Sequence, residues 1–477
     1  MGNSFNYDLI VIGGGSAGIT ATTMAARLGA RVLLVDRESL GGDCLHYGCV
    51  PSKALIASAR LAHRMRRAAD YGMATPDVQV DIEAVMRRIQ NIKDTIGAHE
   101  SPDVFRQMGS DVKFGGARFV DPQTLEVGGE RLTGEKILIA TGSHAVNPPI
   151  PGIEEVGTIN HISVFHLKEL PRRLIVVGGG PIGCEIAQSL SRLGSEVKIV
   201  QRGPRLLHRE DPEIAQMLHE AFRREGIELL LEAEPECIRE EDGIKKIDIR
   251  QKDQSLQLEC DAIFIAIGRK PSIEALDLDK AGVAVNPRGI IVDDTLQTSQ
   301  RHIFAVGDCN GGPQFTHWTE HEARIATRNA LFRGRSKRSM NLIPWVTFTD
   351  PEVARVGLTL EEARKEYGEA HEYQLPMSKV DRAVCEGEPH GQIKVVVGKK
   401  EKILGVHIIG LNAGEALAEW VLAMEHGISL PQIGNAIHVY PTLGRVNRRV
   451  ADMHFLEKGV ASWMIRLFGQ FKPHQRK

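Results

Sequence analysis

At 477 residues the chain exceeds one ordinary domain and divides into about three, taking roughly 100–200 residues per domain. A net charge of −2 excludes the broad electrostatic footprint of a nucleic-acid binder or an anionic-lipid surface. No apolar run reaches the roughly 18 residues a membrane helix needs, and the opening MGNSFNYDLI reads as the start of a strand, so no signal peptide is expected.

The first predicted element is a strand over residues 7–12, YDLIVI. It runs into Gly13-Gly14-Gly15-Ser16-Ala17-Gly18, then a helix to Leu28, then Gly29 and a second strand, Val32 to Val35, ending at Asp36. Strand, glycine loop, helix and strand in this order form a dinucleotide cradle. Gly13 permits the tight turn, Gly15 lets backbone approach a pyrophosphate, and Gly18 lets the helix pack on the strand. The unpaired N–H groups at the helix start favour the pyrophosphate charge. Asp36 offers a carboxylate to ribose hydroxyls and repels a 2′-phosphate, which suits FAD or NAD.

Next comes GGDCLHYGCVPSKAL, residues 41–55. Among seven cysteines, at 44, 49, 184, 237, 260, 309 and 385, only Cys44 and Cys49 are close in sequence. That usage is not a secreted disulfide framework; it fits a reducing compartment, and a cytoplasmic location is expected. Five residues apart on a regular helix, the two side chains would point about 140° apart, so a bond between them requires an irregular turn. The residues alone leave open two buried free thiols.

The cradle pattern then repeats. Leu174 to Val177 leads into Gly178-Gly179-Gly180-Pro181-Ile182-Gly183, a helix to Leu193, Gly194, and a strand ending at Gln201. Positions 13 and 178, 29 and 194, 36 and 201 are each 165 residues apart. Two in-phase copies predict two bound dinucleotides. Where the first copy has Asp36, the second has Gln201 followed by Arg202 and Arg205, which favours NADPH, with NADH as the alternative.

GGDCLHYGCVPSK resembles the active-site segment of the flavin disulfide reductases, the class I pyridine nucleotide-disulfide oxidoreductases. ILIATGSH (137–144), AIFIAIGRKPS (262–272), HIFAVGDCNGGPQF (302–315), WVTFTDPEVARVGLT (345–359) and ILGVHIIGLNAGE (403–415) extend the resemblance over nearly the whole chain. The mercuric reductase and dihydrolipoamide dehydrogenase branch is the most similar.

The resemblance implies an α/β fold with two Rossmann-like dinucleotide-binding domains and a C-terminal α+β dimerisation domain. An FAD domain over 1–148 and 272–340, an NAD(P) domain over 149–271 and a dimer domain over 341–477 are expected, in a two-fold homodimer. It further implies that Cys44 is the interchange thiol meeting the acceptor, that Cys49 faces the flavin, and that Lys53 pairs with Glu185 near the flavin. Asp308 is implied at the ribityl chain. Gly42, Ala117, Thr141, Gly142 and Gly268 are implied among the remaining cofactor contacts. No resident metal site is expected.

The C-terminal motif departs from the family. Disulfide-reducing members carry a His-Pro-Thr and a glutamate that reach the partner's site, whereas residues 438–449 read HVYPTLGRVNRR, with Tyr440 in the histidine's place and Arg445 near the glutamate's. Histidine titrates near 6.5 and tyrosine near 10, so a tyrosine is a poor proton acceptor at neutral pH. His438 and His46 are the candidate substitutes, and weak turnover of ordinary small disulfides is expected. The leading expectation is therefore an NAD(P)H reductase acting through the Cys44–Cys49 disulfide on a metal ion, a quinone or a specialised disulfide. A dihydrolipoamide dehydrogenase-like enzyme and a redox-responsive binding protein are the rivals. The tail VASWMIRLFGQFKPHQRK is expected to pack within the dimer or its own domain rather than on a membrane.

Overall fold

The structure, a computed structural model, describes residues 5–333, 335–340 and 342–457. The tail expected to pack within the dimer or its own domain lies outside the described residues.

The first module is a parallel sheet in the order Asp111–Phe114, Val32–Asp36, Tyr7–Ile12, Glu130–Ile139, Ile303–Ala305. Its inner strands are continuous apolar runs because both faces are covered, one by the helices Ser16–Arg27 and Thr316–Leu331 and the other by the antiparallel strands Ala117–Asp121 and Thr124–Val127; Leu9, Ile10 and Val11 are fully buried. The helix Ser16–Arg27 turns a stripe of small residues (Ala17, Gly18, Ala21, Ala25) to the sheet. These share a core with Ala323, Ala326 and Ala330 of the helix Thr316–Leu331. Small side chains on both helices let this late helix run close beside the first one. That packing brings a segment some 300 residues away to the cysteine turn.

The second module repeats the plan, with strands in the order Glu228–Leu231, Glu196–Gln201, Arg173–Val177, Ala262–Ile265. Each module carries an antiparallel three-stranded excursion before its last shared strand or within it: Ala117–Asp121, Thr124–Val127 and Glu130–Ile139 in the first, Ala233–Glu241, Ile244–Gln251 and Gln254–Cys260 in the second. The two chain crossings between modules lie side by side, Ser143–Ala145 pairing with Arg269–Pro271.

The third unit is an antiparallel sheet in the order Trp345–Thr347, Glu352–Gly357, Ile403–Gly410, Gln392–Val397, His371–Pro376. Gln392–Val397 and Ile403–Gly410 are buried at every residue. The helices Ala413–Glu425 and Arg445–Glu457 share one apolar core with this sheet. The helix Pro212–Arg224 of the second module packs against the strand Ile403–Gly410. There, buried Lys394 lies 3.0 Å from Asp211, and the Trp345 indole N–H donates to Glu210 at 2.5 Å. The third unit is thereby fixed to the second module. No helix among the described residues is long and apolar enough to cross a membrane.

Candidate active site

A single cavity of about 2630 Å³ runs from one glycine loop, past the cysteines, to the other. Both loops are built alike. Gly13 and Gly178 have φ of +109° and +112°, where a Cβ would meet a carbonyl oxygen (Ala140 or Ala266) at 2.3 Å in both copies. At Gly18 and Gly183 a Cβ would meet the oxygen of Gly13 or Gly178 within 2 Å, so only glycine lets the helix seat this closely. Gly15 and Gly180 face the cavity, and a Cβ on Gly42 would reach the Gly15 Cα at 2.6 Å.

The strand-end residues are used in the same way. Asp36 Oδ2 accepts the Gly14 N–H at 2.7 Å, and Gln201 Oε1 accepts the Gly179 N–H at 2.8 Å. Asp36 Oδ1 also takes the N–H groups of Glu38 and Ser39. A carboxylate has about four lone-pair positions, so one stays available to a ribose hydroxyl. Gln201 keeps both amide protons and brings no negative charge. Arg202 lines the cavity beside it, while the Arg205 guanidinium turns to the His208 carbonyl at 3.0 Å. The glycine cradles, each opening at a helix start, fit two pyrophosphates, one from FAD and one from a nicotinamide nucleotide.

Between the cradles, Cys44 lies on the short helix Gly42–His46 and Cys49 opens the helix Cys49–Arg66. The break falls at Tyr47 and Gly48; a Cβ on Gly48 would meet the Asp43 carbonyl at 3.0 Å and the Cys44 Cα at 3.3 Å. This is the irregular turn the spacing requires. Both cysteines are free thiols, so the structure shows the dithiol form. The Cys49 thiol is lowered to about 6, chiefly because Cys44 donates a hydrogen bond to it; burial opposes this, while the Thr316 hydroxyl and the Lys53 charge assist. Cys44 is pushed far up, as donor to Cys49 and by burial. One sulfur holds the charge and the other the proton.

One turn beyond Cys49, Lys53 Nζ lies 3.0 Å from Glu185 Oε2, and the Phe348 N–H donates to Glu185 Oε1 at 2.9 Å. The ammonium sits over the Phe348 ring, 4.3 Å from its centre. Helices from both modules and the residue just after the strand Trp345–Thr347 of the third unit thus meet at one ion pair. Asp308 accepts from the Ser143 hydroxyl at 2.5 Å, and burial raises its carboxyl. Ala117, Thr141, Gly142 and Gly268 line the same cavity.

The C-terminal candidates stand apart. Neither Tyr440 nor His438 lines the cavity of its own chain. Tyr440 is exposed and lies against the Arg445 guanidinium, 4.8 Å from its ring centre. Both ring nitrogens of His438 are engaged, one with Glu419 at 2.9 Å and the other with the Ala436 carbonyl at 3.1 Å. His46 lines the cavity, but its Nε2 is bonded to the Leu40 carbonyl at 2.7 Å.

Sequence reasoning missed three contributors. Thr316 reaches both sulfurs, at 3.4 Å from Cys44 and 3.6 Å from Cys49. Phe348 carries the lysine. Arg269 bridges the cysteine segment to the module crossing, 2.9 Å from Asp43 and 2.8 Å from Ser143, with His161 beside it at 3.0 Å. Thr316 directly follows PQF (313–315), and Arg269 lies inside AIFIAIGRKPS, so the motifs flagged their neighbourhoods without flagging the residues.

Two nucleotide cradles meeting at a dicysteine turn define a nucleotide-to-thiol oxidoreductase. Residues 7–323 match the family model described as pyridine nucleotide-disulphide oxidoreductase, and 343–450 match its dimerisation domain. The chain belongs to this family and is an FAD-dependent oxidoreductase that uses NAD(P)H; the dimerisation domain supports a homodimer. It is 34% identical to a mercuric reductase of Bacillus cereus over 442 residues, 92% of this chain and 70% of that protein. It is 35% identical to a dihydrolipoyl dehydrogenase of Thermus scotoductus over 449 residues, 92% of this chain and 95% of that one. Among solved structures, the HOCl-induced flavoprotein disulfide reductase RclA of Escherichia coli aligns with a TM-score of 0.84 at 29% identity, over 94% of this chain and 100% of RclA. A Cu(II) complex of RclA aligns with a TM-score of 0.82 at 30% identity, over 92% and 98% of the two chains.

Proposed function

We propose that this protein is an NADPH-dependent reductase whose Cys44–Cys49 dithiol delivers two electrons to a soft metal ion, a quinone or a specialised disulfide. Bound FAD supplies the step between hydride donor and sulfur pair. Cys49 is the thiolate on the flavin side, and Cys44 is the thiol that meets the acceptor. Lys53, held by Glu185, sets the positive charge beside Cys49. Gly13, Gly15, Gly18, Asp36, Gly42, Ala117, Thr141, Gly142 and Asp308 would hold FAD; Gly178, Gly180, Gly183, Gln201, Arg202 and Gly268 would serve the nicotinamide nucleotide. The domain limits follow, with 1–148 and 272–340 around FAD, 149–271 around NADPH, and 341–477 for dimerisation. The cysteine usage supports a cytoplasmic setting.

The observation that carries the acceptor class is the state of the C-terminal bases. Reducing a small disulfide releases a thiolate that must be protonated by a positioned acid. Here His438 spends both nitrogens within its own chain, and Tyr440 stands where a histidine would act. A soft metal ion asks only for thiolate ligands, which the sulfur pair already offers. The mercuric reductase relative and the Cu(II) complex of RclA support the same acceptor class.

Anaerobic oxidation of NADPH with Hg(II), Cu(II), a quinone, lipoamide and glutathione disulfide in parallel tests this. Turnover of metal or quinone, slow turnover of both disulfides, and loss of activity in Cys44→Ala are expected. Rapid lipoamide turnover would overturn the acceptor assignment in favour of a dihydrolipoamide dehydrogenase. Slow turnover throughout, with partner binding that depends on Cys44, would favour a redox-responsive binding protein.

A further inference from the structure

Thr316 is the first residue of the 16-residue helix Thr316–Leu331, so its backbone position is fixed while its hydroxyl still rotates. Its Oγ1 lies 3.4 Å from Cys44 Sγ and 3.6 Å from Cys49 Sγ. The other polar groups nearby are committed. The Ser52 hydroxyl donates to the Cys49 carbonyl at 3.3 Å, Lys53 is held by Glu185, and His46 is turned to the Leu40 carbonyl. A hydroxyl has one proton, so it donates to one sulfur at a time, here Cys44, the nearer of the two.

We propose that Thr316 is a catalytic hydrogen-bond donor that lets the single negative charge of the reduced pair move from Cys49 to Cys44. This inference rests on reading Cys44 and Cys49 as the redox pair. At rest Cys49 carries the charge and accepts the Cys44 S–H, while the Thr316 hydroxyl donates to Cys44 at 3.4 Å and lies within reach of Cys49. In the active arrangement the Cys44 proton passes to Cys49, and the Thr316 O–H, already directed at Cys44, holds the new Cys44 thiolate. One S–H bond breaks and one forms; the Thr316 O–H bond stays intact, and no electrons change hands. Cys44 gains nucleophilic character without a base from elsewhere, and the helix N–H groups behind Thr316 favour the charge on either sulfur.

The test is iodoacetamide alkylation of the dithiothreitol-reduced holoenzyme from pH 5 to 9, with each cysteine followed by peptide mass spectrometry. Exposed Cys385 serves as the reference within the same molecule. Relative to Cys385, Cys44 alkylation at pH 7 should slow about tenfold or more in Thr316→Val, the scale of one lost hydrogen bond to a charged group. The pH midpoint of the pair should rise by about one unit. Thr316→Ala should match Thr316→Val, and Thr316→Ser should recover the native profile within about threefold, because only the hydroxyl matters. A native profile in both apolar variants overturns the proposal. So does a serine variant as slow as valine, which would make the role one of shape. Failure of the oxidised wild type to show a Cys44–Cys49 disulfide would instead strike the redox-pair reading, independently of the alkylation series.

Discussion

Cys49 shows how much chemistry one position acquires from its neighbours. An ordinary cysteine titrates near 8.5, whereas this one is lowered to about 6 by the Cys44 thiol, with help from Thr316 and Lys53. The depressed value means the thiolate dominates above about pH 6 and is lost below it. Thiolate absorbance of the reduced protein near 240 nm should therefore fall as pH drops through about 6; a single midpoint near 8.5 would contradict the assignment. Lys53→Met makes a second prediction. It leaves the buried Glu185 carboxylate with only the Phe348 N–H, and removing one partner of such a pair costs about 3 kcal/mol. Denaturant unfolding should show this loss, with a smaller one in the double variant Lys53→Met, Glu185→Gln. The cysteines, the lysine and the glutamate were legible through a motif. Thr316 was not, because it lies 272 residues from Cys44 and nothing in local spacing marks a contact made by helix packing.

At the level of elements, the glycine loops were readable because their constraint is local and steric. The helices end where the pattern puts them, at Arg27 before Leu28 and at Leu193. The same logic predicts a contrast between two substitutions. Gly183→Ala drives a Cβ to 1.9 Å from the Gly178 oxygen and must displace the helix, at a cost of about 2–4 kcal/mol, with weakened nucleotide binding. Gly29→Ala meets nothing within 4 Å and bears only its positive φ, about 1 kcal/mol. Thermal unfolding and NADPH titration of both variants would check this; equal losses would mean the close seating at Gly183 is not what holds the helix. The interruption at Tyr47 and Gly48 was legible as a need, since a regular helix keeps the cysteines apart. Its form, two helices set end to end, emerges only from backbone packing against Asp43 and Cys44.

For the whole molecule, the three-part α/β plan and the dimerisation unit were legible through repetition and motif order. How the units lean on one another was not. Trp345 and Asp350 lie in a motif, but their partners Glu210, Arg192 and Glu225, like the Lys394–Asp211 pair, carry no sequence signature; Arg192 holds Glu225 and Asp350 at 2.7 Å each. The segment carrying Tyr440 leaves Ile437 and Val439 95% and 74% exposed in one chain, an unusual position for aliphatic residues in a dimerisation unit. A partner subunit is expected to cover them. Ile437→Asp with Val439→Asp should then remove about 6 kcal/mol over the two symmetric copies and weaken association by about four orders of magnitude. Analytical ultracentrifugation would detect the monomer; an unaltered dimer would place the interface elsewhere.

The matched bonds of Asp36 and Gln201 carry a further consequence. The two loops share one shape although the groups that brace them differ in charge, because an amide oxygen and a carboxylate oxygen brace the loop equally well. The contribution of position 201 to coenzyme choice, beside that of Arg202, is thus separable from folding. Gln201→Glu should preserve the brace on Gly179, leave the melting temperature nearly unchanged, and lower the NADPH-to-NADH ratio of kcat/KM by repelling the extra phosphate. Steady-state kinetics with both nucleotides would show whether so small an edit re-addresses the enzyme to the other electron pool.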